Sequence, residues 1–135
     1  MKRLPCLLLA LVALLLAAAP SFAAEEPGAV AEKFYAGYVS QVDSNKDTKE
    51  FVAKSKLVTE KFKKAYAKAM NAEEIDADPV LNAQDIPSQP FKAEKPEIKD
   101  DKAKVVLGAA FGETKHKVTA KLVKVDGVWL LDAVE

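Results

Sequence analysis

The chain has 135 residues, and its 20 Lys and Arg residues balance its 20 Asp and Glu residues, so the formal net charge is zero. Its single Cys and single His, Cys6 and His116, are too few for a structural zinc site, which uses about four such ligands. Its only Arg is Arg3. Because arginine is the favoured residue for bidentate recognition of bases and phosphates, we expect no nucleic-acid partner.

The N-terminus has the pattern of a bacterial secretory signal peptide. A short basic flank, residues 2–3, precedes an apolar run at residues 7–19. This run is shorter than the roughly 20 residues that a transmembrane helix needs. The small side chains of Ser21 and Ala23 predict cleavage between Ala23 and Ala24.

Cleavage there separates a signal peptide, residues 1–23, from a mature chain, residues 24–135, whose length fits a single domain. Cys6 precedes the apolar run and leaves with the signal peptide, so we expect no stable membrane anchor. Removing Lys2 and Arg3 leaves 18 of the 20 basic residues against 20 acidic ones, a net charge of −2. The sequence therefore predicts a periplasmic or secreted protein.

The first mature segment predicts an amphipathic helix. Glu25, Glu26 and Pro27 suit its first turn. Its apolar stripe is wide enough for a core face and comprises Val30, Ala31, Phe34, Tyr35, Tyr38, Val39 and Val42. Gly37 costs about 1 kcal/mol relative to Ala in a helix interior, and a close approach of the sheet would explain it.

Residues 43–47 carry oxygen side chains at alternate positions, as the start of a calcium loop does. Such a loop needs Gly at its sixth position and Glu at its twelfth. This chain has Thr48 and Lys54 there. The segment instead predicts a polar turn, with Asp47 capping the next helix and Glu50 completing a capping box.

Residues 48–70 predict a helical stretch that breaks near Ser55, because the apolar positions on its two sides are out of phase. The later apolar face comprises Leu57, Val58, Phe62, Ala65, Tyr66 and Ala69. The opposite face carries Lys56, Lys61, Lys63, Lys64 and Lys68. This pattern favours a surface helix whose lysine stems cover apolar area. The alternative is a basic face that meets an acidic surface such as anionic lipid headgroups.

The loop at residues 76–85 is the most distinctive stretch, with Pro79 forcing a turn after Asp78. In one interpretation, Asp78 and Asp85 accept backbone N–H bonds and hold the loop on the body of the domain. In the other, the loop binds a cation or a polar ligand. The oxygen-bearing side chains that would form this site are Asp76, Asp78, Asn82, Gln84 and Asp85.

Residues 102–134 hold the densest strand signals and predict a three-stranded antiparallel meander. Its strands span residues 103–111, 116–125 and 128–134, and the dipeptide at 126–127, Asp-Gly, is a strong hairpin signal. The apolar face of this sheet must be covered, and the helices upstream are the segments available. The sequence therefore predicts an α+β fold with N-terminal amphipathic helices packed on a curved C-terminal antiparallel meander.

Candidate catalytic groups are few. His116 shares a face with apolar strand residues but has no evident orienting partner. Asp132 would be a general base or ligand anchor if it pointed into the fold, and an ordinary exposed residue if Trp129 pointed inward instead. Tyr35 and Tyr38 are either core residues or residues that line a binding pocket.

Three stretches of the mature chain occur together in a known family. Asp-Pro-Val-Leu-Asn-Ala-Gln-Asp at 78–85 follows a helix with Phe-Tyr at 34–35 and Tyr38, and the last strand begins Asp-Gly-Val-Trp at 126–129. In these features the chain resembles the bacterial exported domain-of-unknown-function family 3828. The resemblance covers nearly all of the mature chain and implies a cystatin-like or nuclear-transport-factor-like cone. It implies no activity, and Cys6 departs from the lipoproteins of that family.

From these observations we expect an exported cell-envelope protein that acts as a binding or interaction module without a cofactor. Its partner would be an envelope protein or a small polar ligand. The alternative is a small acid/base enzyme or ligand-binding protein that uses the cavity of the cone, with Asp132 and a first-helix tyrosine as its acid/base groups. A pocket with convergent polar groups would favour the alternative.

The first prediction concerns processing. Because Ser21 and Ala23 are the small residues that signal-peptide cleavage requires, we expect the mature protein to begin at Ala24 and to be released with the soluble envelope fraction. N-terminal sequencing of that fraction tests this. An N-terminus at Met1, or recovery only with membranes after a salt wash, would contradict it.

Overall fold

The computed structural model describes residues 25–135, which form three helices followed by five strands. The predicted signal peptide and its cleavage site at Ala23 and Ala24 lie outside the described residues. The elements are α1 (Pro27–Asp43), α2 (Thr48–Lys54), α3 (Glu60–Met70), β1 (Lys92–Ala93), β2 (Glu97–Lys99), β3 (Lys102–Phe111), β4 (Thr114–Val125) and β5 (Val128–Val134). The predicted α+β class is confirmed.

Helix α1 begins at Pro27, whose missing N–H is not needed in the first turn. Its buried face comprises Pro27, Gly28, Val30, Ala31, Phe34, Tyr35 and Tyr38. Val39 and Val42, farther along the same stripe, are partly buried against the core. The predicted apolar stripe is therefore the core face of α1.

Gly37 does not contact the sheet, so the explanation offered by the sequence is wrong. A Cβ atom at Gly37 would lie 2.8 Å from Cζ of Phe51, which belongs to α2. The residue lets the Phe51 ring pack directly on the α1 backbone. Phe51 also lies 5.8 Å from Phe34, measured between ring centroids.

Helices α2 and α3 each begin at a side-chain cap. The Asp47 carboxylate accepts hydrogen bonds from the backbone N–H groups of Lys49 and Glu50, so the predicted cap is present. The capping box is incomplete, because the Glu50 carboxylate pairs with Lys54 instead of turning back to Asp47. Helix α2 ends at its C-cap Ser55, as predicted, and the Thr59 hydroxyl caps α3 by accepting a hydrogen bond from the Phe62 N–H.

The sheet is antiparallel, with the strand order β1-β3-β4-β5 and with β2 also paired to β3. Strands β3 and β4 pair along the whole of β3, and the turn at Asp126 and Gly127 leads into β5. Both turn residues have positive φ, 50° and 79°, as a type I′ hairpin turn requires. The three predicted strands are therefore confirmed, and β1 and β2 are additional short strands on the far side of β3.

The helices cover one face of the sheet, and the core lies between the two layers. Inward residues on β3 and β4 alternate with exposed or half-buried outward residues. The inward set is Ala103, Val105, Leu107, Ala109, Val118, Ala120 and Leu122. At β5 the segment before α3 adds to the packing, because Val58 forms an isolated parallel bridge with Leu131. Among residues 25–135, no helix is both long and apolar enough to cross a membrane.

The second prediction concerns Trp129, which is 6% exposed and belongs to the core cluster on β5. We expect Trp129→Ala to lower the free energy of unfolding by about 3–5 kcal/mol, as large-to-small core changes do. Chemical denaturation measures this. Val128→Ala is the matched control, since Val128 is 52% exposed on the same strand, and we expect a change within about 0.5 kcal/mol. A loss below about 1 kcal/mol for Trp129→Ala would contradict the prediction.

Candidate functional site

The Asp78 carboxylate is the centre of the loop at residues 76–85. Its Oδ1 accepts the backbone N–H groups of Val80 at 2.8 Å and Leu81 at 2.9 Å. Its Oδ2 accepts the hydroxyl of Tyr38 at 2.6 Å. One carboxylate therefore closes the turn after Pro79 and attaches it to α1. This is the structural role that the sequence suggested for Asp78.

A chain of hydroxyl groups continues from Asp78 into the helical layer. The Tyr38 and Tyr66 hydroxyl oxygens are 2.9 Å apart, and the Tyr66 and Thr48 oxygens are 2.8 Å apart. Because an ionised carboxylate only accepts, the Tyr38 proton is directed at Asp78. The chain therefore connects the loop to α1, the start of α2 and α3 through one continuous set of hydrogen bonds.

Burial keeps these hydroxyl groups protonated. It raises the pKa of Tyr38 strongly, and the hydrogen bond to Asp78 raises it further. Burial also raises the pKa of Tyr35, with the Asp78 charge as a second cause, and it raises the pKa of Tyr66. The tyrosines therefore act as neutral hydrogen-bonding groups in the core, where Tyr35 and Tyr38 have no exposed surface.

Two further contacts hold the loop. The Tyr35 hydroxyl donates to the carbonyl of Val80 at 2.7 Å, and His116 Nε2 lies 3.0 Å from the carbonyl oxygen of Leu81. Val80 and Leu81 are themselves buried. His116 thus faces the core side, as its strand position indicated, and is engaged with loop backbone.

The other predicted loop residues are not gathered into a site. Asp76, Asn82, Gln84 and Asp85 are exposed, and the Gln84 amide donates to the backbone carbonyl of Asp76 at 2.8 Å. Within residues 25–135, Asp85 makes no side-chain hydrogen bond, so its expected role as a backbone acceptor is wrong. That part of the chain also holds no group of three or more His, Cys, Asp or Glu side chains able to bind a metal ion.

Asp132 lies at a β-bulge in β5, where the register with β4 shifts. Its carboxylate accepts the Thr59 hydroxyl at 2.7 Å and pairs with Lys61 at 3.2 Å. With 18% of its side chain exposed, Asp132 is neither inside the cone nor freely exposed, because the bulge turns it toward the N-terminus of α3. No tyrosine contacts it, so the acid/base pair considered for an enzyme is not formed.

The space inside the fold is filled by aromatic rings. The Phe34 ring lies 5.6–6.0 Å, between centroids, from the rings of Tyr35, Tyr38, Phe51 and Phe62. Among the described residues, no buried side-chain nitrogen or oxygen lacks a hydrogen-bond partner. A ligand that entered this interior would meet no convergent set of free polar groups.

The outer face of the sheet, opposite the helices, carries a different feature. Lysines of this face also line a depression of about 570 Å³ that is formed by strands β2–β5 and by the start of α3. Its charged residues are Lys61, Lys99, Lys102, Lys104, Lys121, Glu97 and Asp132. This surface was not predicted from the sequence. The alternation along β3 and β4 does indicate it, because Lys102, Lys104 and Lys121 occupy the outward positions between inward apolar residues.

No protein-family model matches the chain, and no curated protein matches it. Two solved structures share the fold, both of the type VI effector–immunity complex Tae3–Tai3 from Ralstonia pickettii. In the selenomethionine form, the match has a TM-score of 0.64 and 18% identity and covers 82% of this chain and 95% of that chain. In the native form, the match has a TM-score of 0.68 and 16% identity and covers 82% of this chain and 94% of that chain. The resemblance to family 3828 stays a prediction.

The third prediction separates the two loop carboxylates. We expect Asp78→Asn to lower the free energy of unfolding by about 1–3 kcal/mol, because an amide is a weaker acceptor for Tyr38 and for the two backbone donors. Asp85→Asn, the matched control, should change it by less than about 0.5 kcal/mol. Chemical denaturation with and without millimolar calcium measures both. A calcium-dependent rise in the parent's midpoint that both variants lack would contradict this and favour a cation site.

The fourth prediction concerns alkaline pH. The three tyrosines have folded-state pKa values above the ordinary value of about 10. Their contribution to stability is fully present below about pH 10 and is lost as the pH rises toward the folded-state values. We therefore expect tyrosinate absorbance to appear together with the loss of circular dichroism. Tyrosinate absorbance that develops while the dichroism is still native would show that the hydroxyls are accessible.

Proposed function

We propose that this chain is an exported module that binds another protein, and that it acts as the immunity member of an effector–immunity pair. The observation that carries the proposal is the filled interior. The aromatic rings packed around Phe34 occupy the interior of residues 25–135, which favours recognition at the surface.

The fold comparison supports the same direction. The solved structures with this fold are of an effector–immunity complex, in which the partners are Tae3 and Tai3. The matched fold extends over 94–95% of the neighbouring chains. The immunity member is the better counterpart, because the described part of this chain contains no assembled catalytic group.

The groups that an enzyme would use are already engaged. Tyr38 is bound to Asp78, His116 to the loop backbone, and Asp132 to Thr59 and Lys61. The predicted signal peptide supports action in the cell envelope. An exported inhibitor would act where an incoming effector meets its target, and it needs stable folding and a complementary surface rather than a reactive site.

The experiment that tests this proposal starts from the exported, tagged chain in its native host. Envelope proteins that co-purify with it are identified, and the leading one is purified separately and recombined with the chain. We expect a complex of defined stoichiometry, together with loss of the toxic or enzymatic activity of that partner. An exported protein of similar size and charge serves as the control.

Three outcomes separate the parts of the proposal. A reconstituted complex without inhibition would retain protein binding and overturn the immunity role. Failure to reconstitute any complex would overturn protein binding. A large thermal shift with a metabolite, about 2.7 kcal/mol for a ligand at 100 times its dissociation constant, would favour a small-ligand protein instead.

A further inference from the structure

The outer face of the sheet has an unusual distribution of charge for a solvated face. In the strand register, Lys99 of β2 lies directly opposite Lys102 of β3, and Lys104 of β3 lies directly opposite Lys121 of β4. Cross-strand neighbours lie about 4.5–5.5 Å apart at their Cβ atoms, and like charges directly opposite are destabilising. This lysine cluster, Lys99, Lys102, Lys104 and Lys121, therefore contains two like-charged cross-strand pairs, although Glu97 also lies opposite Lys104.

Carboxylates adjoin this cluster but do not pair with all of its lysines: Glu97 lies opposite Lys104, and Asp100 and Asp101 form the turn between Lys99 and Lys102. In the part of the chain that the structure describes, Lys99, Lys102 and Lys104 form no salt bridge, whereas Lys121 pairs with Glu135. That pairing lowers the pKa of the Glu135 carboxyl, chiefly through its hydrogen bond with Lys121, and Lys104 adds to the effect. The ammonium groups of Lys99, Lys102 and Lys104 are thus left for carboxylates of a partner.

Exposed apolar side chains adjoin the lysines. Val125 and Val128 form a cross-strand pair at the β4–β5 turn and are 46% and 52% exposed. The neighbouring pair on the same face, Val123 and Leu130, is half-buried. A valine pair next to charged residues resembles the mixed apolar centre and polar rim of a protein interface.

We infer that the open sheet surface, defined by Lys99, Lys102, Lys104, Val125 and Val128, docks an acidic surface of the partner protein. The inference rests on the proposed function and assigns the binding surface for it. Acidic side chains of the partner would lie over the lysines, and an apolar group would cover the valine pair. This contact would relieve the repulsion within the lysine cluster.

Two other occupants fit less well. A second copy packed symmetrically on this surface would bring lysines against lysines, which like-charge repulsion disfavours. A lipid surface requires apolar groups that reach past the charged ones. Here the valines are short side chains on strands, and the adjoining lysine side chains extend beyond them.

The test uses the partner recovered in the preceding experiment and two triple variants with the same change of charge. One reverses the sheet lysines, with Lys99→Glu, Lys102→Glu and Lys104→Glu. The other reverses exposed lysines at and before α3, with Lys56→Glu, Lys64→Glu and Lys68→Glu. Thermal denaturation and circular dichroism establish that each variant is folded. Titration then gives the dissociation constant, and stopped-flow mixing gives the association rate at several salt concentrations.

We expect the sheet variant to weaken binding by at least about 100-fold and to lose the salt dependence of the association rate, because opposed charges steer encounter. The helix variant should stay within about threefold of the parent. A second pair of variants tests the apolar contact. Val128→Asp should weaken binding strongly. Ile75→Asp is its control, because Ile75 is 47% exposed but lies outside the sheet, and it should leave binding unchanged.

Several results would overturn the inference while leaving the proposed function intact. One is a sheet variant that binds the partner as tightly as the parent does. Another is a helix variant whose affinity falls more than that of the sheet variant. Self-association of the parent that only the sheet variant lacks would assign the surface to a second copy. Binding to phosphatidylglycerol vesicles, with no effect of the sheet variant on the protein complex, would assign it to lipid. If the parent binds no protein at all, the proposed function and this inference both fail.

Discussion

The hydrogen bond between the Tyr38 hydroxyl and the Asp78 carboxylate is the contact on which the helical layer and the loop both depend. A tyrosine hydroxyl buried without a partner would be costly, and this carboxylate supplies a charged acceptor at 2.6 Å. The same carboxylate closes its own turn, so one side chain satisfies α1 and organises the loop. Through Tyr66 the network also fixes α3. An aromatic core with hydroxyl groups can therefore be packed fully without orphaned polar atoms.

The sequence predicted the parts of the fold that local patterns specify. Alternation along β3 and β4, the Asp126 turn and the stripe on α1 each depend on residues close together in the chain. Strands β1 and β2 were missed because they have two and three residues and form only by pairing with β3. The Tyr38–Asp78 contact was out of reach for a similar reason, since its two residues are 40 positions apart.

The candidate site shows where residue type misleads without geometry. Asp78 and Asp85 stand at opposite ends of one loop, yet only Asp78 meets backbone donors. Asp132 could be assigned to neither face from alternation, because a β-bulge at that residue breaks the period of two. The outward positions of the lysines on β3 and β4, by contrast, follow from the alternation in the sequence. The pairing of β2 with β3, which places Lys99 opposite Lys102, does not follow from it.

The bridge between Val58 and Leu131 has a consequence for how the domain can associate. On the outer side of β5, the Leu131 N–H donates to the carbonyl of Leu57 and the Leu131 carbonyl accepts from the N–H of Thr59, so a foreign strand cannot easily be added across this residue. At the opposite border, β1 and β2 are short and separated by Pro96, which offers no long template for backbone pairing. Both routes to β-augmentation are therefore obstructed. A protein that bound this sheet would therefore be selected by side chains, and its selectivity could be changed by substitution without altering the sheet.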